Sequence, residues 1–184
     1  IDPRTGWQIG LQTGDPRQFL SFDELFAAFE RQMLHFIDIK VRGNQVIERL
    51  YATYMPAPFL SLLIDDCISN GKDYHSGGAR YNTISIHVVG MGTITDALTA
   101  LKVNVFDDHG GTQHPKVSMD ILLAALEADF AGHERLRQRL VNKTPKYGND
   151  AETPDTVMRW VFEAYYNAAH TRRVGHQVVG GAVA

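Results

Sequence analysis

Four features of this sequence have the residue types and spacing that chemistry requires. Asp107, Asp108, His109 and His114 share one loop, and carboxylates with imidazoles are the ligand types that transition metals take. Glycines flank them and nothing fixes a geometry, so a solvated surface loop is the better reading. Cys67 offers a thiol, which becomes a nucleophile when ionised. It follows Leu63 and Ile64 at helical spacing on an apolar side, where a thiol usually serves as inert filler. Tyr81, Thr83, Ser85 and His87 form a polar row alternating with Ile84, Ile86 and Val88, so they either meet solvent or line a polar cavity. His87 taken alone reads as a structural histidine. Gly90-Met91-Gly92 stands between a strand and a helix, where small residues let a pyrophosphate approach a helix N-terminus. Thr95 occupies the position of the third glycine, and no acidic residue closes a second strand downstream. A tight strand-to-helix turn is therefore preferred to a nucleotide site.

The elements that would carry these residues follow from periodicity and punctuation. Residues 1–20 hold Gly6, Gly10, Gly14, Pro3 and Pro16 among polar residues and read as an irregular arm lying over something else. "SFDE" sets a cap hydroxyl three residues ahead of Glu24, and Phe22, Phe26, Phe29, Met33 and Phe36 follow at helical spacing. Gly43-Asn44 interrupts the pattern, which predicts two helices or one broken helix before "MPAP" stops it. A short helix is expected from Phe59 to Ser69, closed by the glycine of "NGKD". Residues 79–89 switch to period two and predict a strand, which Gly77 and Gly78 precede, permitting close approach of another loop. Thr93 and Asp96 are expected to cap the next helix, with Ile94, Leu98, Leu101 and Val105 as its stripe. Helices opened by Ser118, over "HERLRQRLV", and from about Pro154 through Ala168 complete the chain. "VGHQVVGGAVA" is expected to begin a second strand that lacks its partner here. The segment is thus helix-rich with one or two strands.

Composition sets the outer limits. At 184 residues, with 44% apolar and 21% charged, the chain is long enough for one good-sized core or two small ones. A net charge of −3 provides no basic stripe for phosphates, so nucleic acid and anionic membrane are excluded as expected partners. No apolar run reaches membrane-spanning length, and "IDPRTGWQIG" lacks the basic start of a signal peptide. A cytoplasmic protein is expected. One cysteine forms no internal disulfide and no cysteine-based zinc cluster. The start without Met and the apolar end suggest a fragment.

Long, ordered phrases then carry a resemblance that covers nearly the whole chain. "MPAPFLSLLIDDCISNGKDYHSGGARYN", "GMGTITDALTALKVNVFDD" and "NKTPKYGND" resemble the pyruvate formate-lyase-like glycyl radical enzymes. The opening "IDPRTGWQIGLQTGDPRQFLSFDELFAAFERQM" is similar to the same family just after its catalytic loop. The phrases look closer to the branch of dehydratases, decarboxylases and other carbon-heteroatom lyases than to formate acetyltransferase itself. The resemblance implies an α/β fold, part of a ten-stranded barrel, in which a radical stored on a backbone glycine passes to a cysteine that abstracts hydrogen from substrate. A desolvated barrel interior suits such chemistry. It further implies an S-adenosylmethionine-dependent iron-sulfur activating enzyme as partner, the remainder of a parent polypeptide, and assembly as a homo-oligomer.

The departures decide what is carried over. The family's Gly-Cys-x-Glu-like loop and its Arg-Val-x-Gly-Tyr/Trp-like radical motif are both absent, and "RRVGHQ" around Gly175 is an echo with the wrong spacing and no aromatic. No catalytic, cofactor or metal residue is therefore assigned, and Cys67 is not the catalytic cysteine. Tyr81 and Asn82, in the matching "GGARYN", are expected as cavity-wall residues. Residues 1–184 are expected to be a fragment of the barrel domain, inactive alone. The alternatives are a stand-alone helical binding or scaffold domain, and a nucleotide-binding enzyme using Gly90 and Gly92. Without the remaining strands, the apolar face of residues 84–88 is expected to lack a partner on one side and to drive association.

Overall fold

The computed structural model describes residues 2, 4–107, 115–170, 173–174 and 177–183, and gives only the backbone for 83–85 and for the strands past 170. The elements run α1 (Phe22–Tyr54), α2 (Pro58–Leu63), α3 (Cys67–Asn70), β1 (Thr83–Val88), α4 (Met91–Leu101), α5 (Met119–Glu127), α6 (Glu134–Asn142), α7 (Glu152–His170), β2 (Arg173–Val174) and β3 (Gln177–Val183). Two compact units result, one built from 1–32 and 90–164, the other from 33–89 and 165–184.

In the first unit, local capping starts the helices where the sequence places them. Ser21 Oγ accepts the Glu24 amide at 3.2 Å, satisfying one free amide of the first turn of α1, and the Glu24 carboxylate reaches back to accept the Leu20 amide ahead of the helix at 2.8 Å. Ser118 Oγ accepts the Ile121 amide at the start of α5. Phe22, Phe26 and Trp160 stack with centroids 6.0–6.3 Å apart, as tilted and edge-on aromatic pairs prefer. The N-terminal arm is tied down rather than loose: Gln32 Nε2 donates to the Leu11 carbonyl at 2.6 Å, and Arg17 Nε donates to Asp120 at 2.9 Å.

Helix α4 differs from its expected start. Its N-cap is Gly90 at φ +88°, with no side-chain cap, and Thr93 lies inside the helix while Asp96 accepts the Tyr147 amide at 2.9 Å. A left-handed N-cap favours glycine, so the turn itself accounts for Gly90. The buried positions are Met91, Thr95, Leu98 and Thr99, a face more polar than the apolar stripe predicted. A π-type turn, Lys102–Phe106, extends the helix and rotates Asn104 inward.

In the second unit, β1 and β3 pair in parallel, Thr83 with Val178 through Val88 with Val183, and β2 runs antiparallel to β3, giving the order β1-β3-β2. The C-terminal strand therefore has a partner, contrary to expectation, and the described residues are helix-rich with short strands, as expected. Ile86 is buried against Ile37, Val41, Tyr165, Ala168 and Ala169, so at this residue the apolar face of β1 is covered by helices of its own unit. The Tyr165 hydroxyl donates to the Ile86 carbonyl and fixes α7 on the strand.

Two further expectations are corrected. α1 passes Gly43-Asn44 without a break. A glycine in a helix interior costs only about 1 kcal/mol, less than burial of Ile37 and Val41 returns. The expected helix over Phe59–Ser69 is split, because Asp66 takes φ +73° between α2 and α3. Arg80 holds that residue with Nε to Oδ2 at 2.8 Å and Nη2 to Oδ1 at 2.9 Å. Gly71 closes α3 at φ +58°, as predicted.

Candidate functional site

The strongest concentration of organised polar groups lies in residues 57–82, leading into β1. Asp73 is its centre. One carboxylate oxygen accepts the Ala57 amide and the Ser61 hydroxyl, both at 2.8 Å, and the other accepts the His75 amide at 2.9 Å. Ser61 Oγ accepts the Tyr74 amide at 2.8 Å, which ties α2 to the following 3₁₀ turn, Tyr74–Ser76. Partial burial alone would raise the carboxyl's pKa, but the bonds from Ser61, His75 and Ala57 outweigh it and hold the group below the ordinary carboxylate value. Arg80 lowers Asp66 in the same direction through its hydrogen bond, and the Arg80 guanidinium is itself raised by that bond.

The paired glycines have an internal cause. A Cβ on Gly78 would overlap the Lys72 carbonyl oxygen, with the carbonyl carbon at 2.8 Å and the Asp73 oxygen at 3.0 Å. What passes close to this backbone is the chain's own segment 72–73. Gly77 lies at φ +79° and ends the 3₁₀ turn. Asn70 Nδ2 donates to the Gly78 carbonyl at 3.0 Å and locks the loop from the other side.

The two expected cavity-wall residues have different surroundings. Tyr81 is 83% exposed, so no wall is formed around it by the described residues of this chain. Asn82 is half-buried, and its Nδ2 is committed to the Ala79 carbonyl at 2.6 Å and the Gly77 carbonyl at 3.4 Å. Asn82 is thus a brace for the backbone that displays Tyr81. His87 is exposed on β1. Cys67 is 2% exposed within α3 and takes the filler role read from its spacing. Asp107 pairs with Lys102 at 3.0 Å, while Asp108, His109 and His114 lie outside the described residues. Gly175 also lies outside them. No group of three potential metal ligands occurs among the described residues, and no described helix is long and apolar enough to cross a membrane.

Sequence reasoning missed the Asp73 hub, although an Asp whose carboxylate accepts the amide two residues on is a known local turn signal. It also missed Asn104 in the first unit. That side chain is 1% exposed; it donates to the Ala100 carbonyl and to Thr144 Oγ1 at 2.9 Å each, and accepts Arg139 Nε at 2.9 Å. Arg139 continues to the Pro115 carbonyl at 2.7 Å.

Helices, a short mixed sheet and a braced loop ahead of β1 describe a segment of α/β type. The pyruvate formate lyase-like family model matches residues 1–178, and the chain belongs to that family of glycyl radical enzymes. Among curated proteins it is 54% identical over 166 residues to trans-4-hydroxy-L-proline dehydratase of Clostridioides difficile, a match covering 90% of this chain and 20% of that protein. The crystal structure of hydroxyproline dehydratase from Clostridioides difficile with substrate trans-4-hydroxy-L-proline bound is similar with a TM-score of 0.88 and 50% identity, over 99% of this chain and 22% of that one. The glycerol-bound form of the B12-independent glycerol dehydratase from Clostridium butyricum is similar with a TM-score of 0.85 and 30% identity, over 97% and 22%. The chain spans about a fifth of the length of the relatives it matches.

Proposed function

We propose that these 184 residues are part of a glycyl radical dehydratase, to which they contribute cavity wall and framework, and that they do not turn over substrate by themselves. The observation that carries this reading is the 54% identity to trans-4-hydroxy-L-proline dehydratase, which favours a dehydratase over a formate acetyltransferase. The substrate class is a small hydroxylated molecule, with a hydroxyproline first in line. The thiyl cysteine and the radical glycine belong to other parts of the polypeptide, in keeping with the absence of both motifs here and with the buried position of Cys67. An S-adenosylmethionine-dependent iron-sulfur enzyme installs the radical, and the complete protein works as a cytoplasmic homo-oligomer under anaerobic conditions.

Within that enzyme, the chain's own residues orient and exclude. Tyr81 supplies a phenol at the entry to β1, able to donate to or accept from a substrate hydroxyl or carboxylate. Asn82 holds the backbone beneath it, and the Asp73 and Arg80 braces keep the preceding loop from collapsing into the cavity. Anaerobic assay of the complete, activated polypeptide with trans-4-hydroxy-L-proline tests the reading. Loss of water from the substrate is expected with the complete protein and none with the 184 residues alone. Turnover by the isolated chain would overturn it.

A further inference from the structure

Helix α2 has only six residues and no buried one, and a helix of that length does not persist in water by propensity. It is held from one side. The Asp73 carboxylate takes the Ala57 amide and the Ser61 hydroxyl at 2.8 Å each, and Ser61 in turn accepts the Tyr74 amide at 2.8 Å. Phe59 and Leu63 lie two residues before and after Ser61, which at about 100° per residue puts both on the opposite side of the helix. Their exposures, 84% and 82%, agree with that placement. The clamp that fixes Ser61 therefore aims an apolar pair outward. Tyr54 and Met55, just before α2, are exposed as well. An exposed apolar group held in a fixed orientation marks an interaction surface more strongly than a scattered surface leucine does.

The geometry points to Phe59 and Leu63 as a docking knob that inserts into an apolar socket supplied by the part of the parent polypeptide outside these 184 residues. This rests on the reading of the chain as part of a larger dehydratase. The occupant follows from length: the 54%-identical relative is matched over only 20% of its own sequence, so most of such a polypeptide is available to cover this surface. The Asp73 clamp pre-forms the knob, so docking does not have to order α2 at the moment of contact.

Side-chain labelling by a photogenerated carbene, read by mass spectrometry, tests the proposal. In the complete polypeptide, labelling of Phe59 and Leu63 is expected to fall by about tenfold or more relative to the 184-residue chain, as full burial at a packed contact requires. Equal labelling in both would overturn it. The same preparation is assayed for dehydration: unprotected side chains with turnover sink the knob and leave the functional reading intact, whereas protection without turnover does the reverse. A second copy is the competing occupant. Protection in the isolated chain that grows with concentration, and is abolished by combining Phe59→Ser with Leu63→Ser, would assign the pair to self-association and overturn the proposal. A monomeric chain whose two residues remain fully labelled at all concentrations supports it.

Discussion

Asn104 in the first unit and Asp73 in the second do the same job with opposite physical chemistry. Each is one short side chain with at least three hydrogen bonds that pins segments distant in sequence. Asn104 is fully buried and neutral, so it meets the Ala100 carbonyl, the Thr144 hydroxyl and the Arg139 guanidinium without bringing a charge of its own out of water. Asp73 is half-buried and surrounded by donors only, which suits an anion and keeps it ionised at neutral pH. The first unit is thus held from inside by a group that does not titrate; the second is held near its surface by one that does.

The largest test of the second brace is Gly78→Ala. The new methyl has no room beside the Lys72–Asp73 backbone, and a loss of about 3 kcal/mol or more is expected in urea unfolding, with the amides of 57–80 exchanging fastest. Asn104→Ala comes next. It strands the Arg139 and Thr144 groups in the first unit, and a loss of about 2–3 kcal/mol is expected, with exchange rising at 115–144 rather than 57–80. Should Asn104→Ala loosen 57–80 equally, the two hubs would not be separate devices. Tyr165→Phe removes a hydroxyl from the buried Ile86 carbonyl and is expected to cost about 1–2 kcal/mol in the second unit.

Acidification separates the hubs without mutation. The folded pKa of Asp73 lies below its unfolded value, so its contribution is complete at neutral pH and is lost as the pH falls below about 4. Asp66, lowered by the Arg80 hydrogen bond, acts with the same sign. Amides of 57–80 should therefore lose protection on acidification. In the Asp73→Asn chain that pH dependence should shrink, and an unchanged profile would assign it elsewhere. The smallest effect is Tyr81→Ala: less than about 0.5 kcal/mol on stability, because the ring is exposed, against a clear fall in kcat/KM of the complete activated enzyme.

What the sequence made legible is what a few neighbouring residues decide. The Ser21 and Ser118 caps, the left-handed closure at Gly71 and the helical run from Pro154 through Ala168 within α7 all depend on contacts within a turn or on helical period. The failures share a different cause. Arg80 breaks the predicted 59–69 helix from 14 residues away, and Asn104 finds Thr144 and Arg139 at separations of 40 and 35. No local pattern announces such pairs. Tyr81 and Asn82 are expected as cavity wall from the family phrases alone, whereas the Asp73 carboxylate that organises the loop ahead of them stands in "NGKD" and bonds Ala57 and Ser61, 16 and 12 residues away. Gly43-Asn44 misled because a glycine's preference is weak against tertiary packing.

The parallel register has a consequence for biosynthesis. Thr83 emerges from the ribosome about 95 residues ahead of Val178, its partner in β3, a delay of about 5–20 s at ordinary elongation rates. Throughout that interval the nascent β1 has an unpaired edge, and the helices between must fold without the sheet to lean on. A chaperone bound to β1 while residues 84–177 are made would protect the chain at its most aggregation-prone stage, and a translational pause there would prolong the risk.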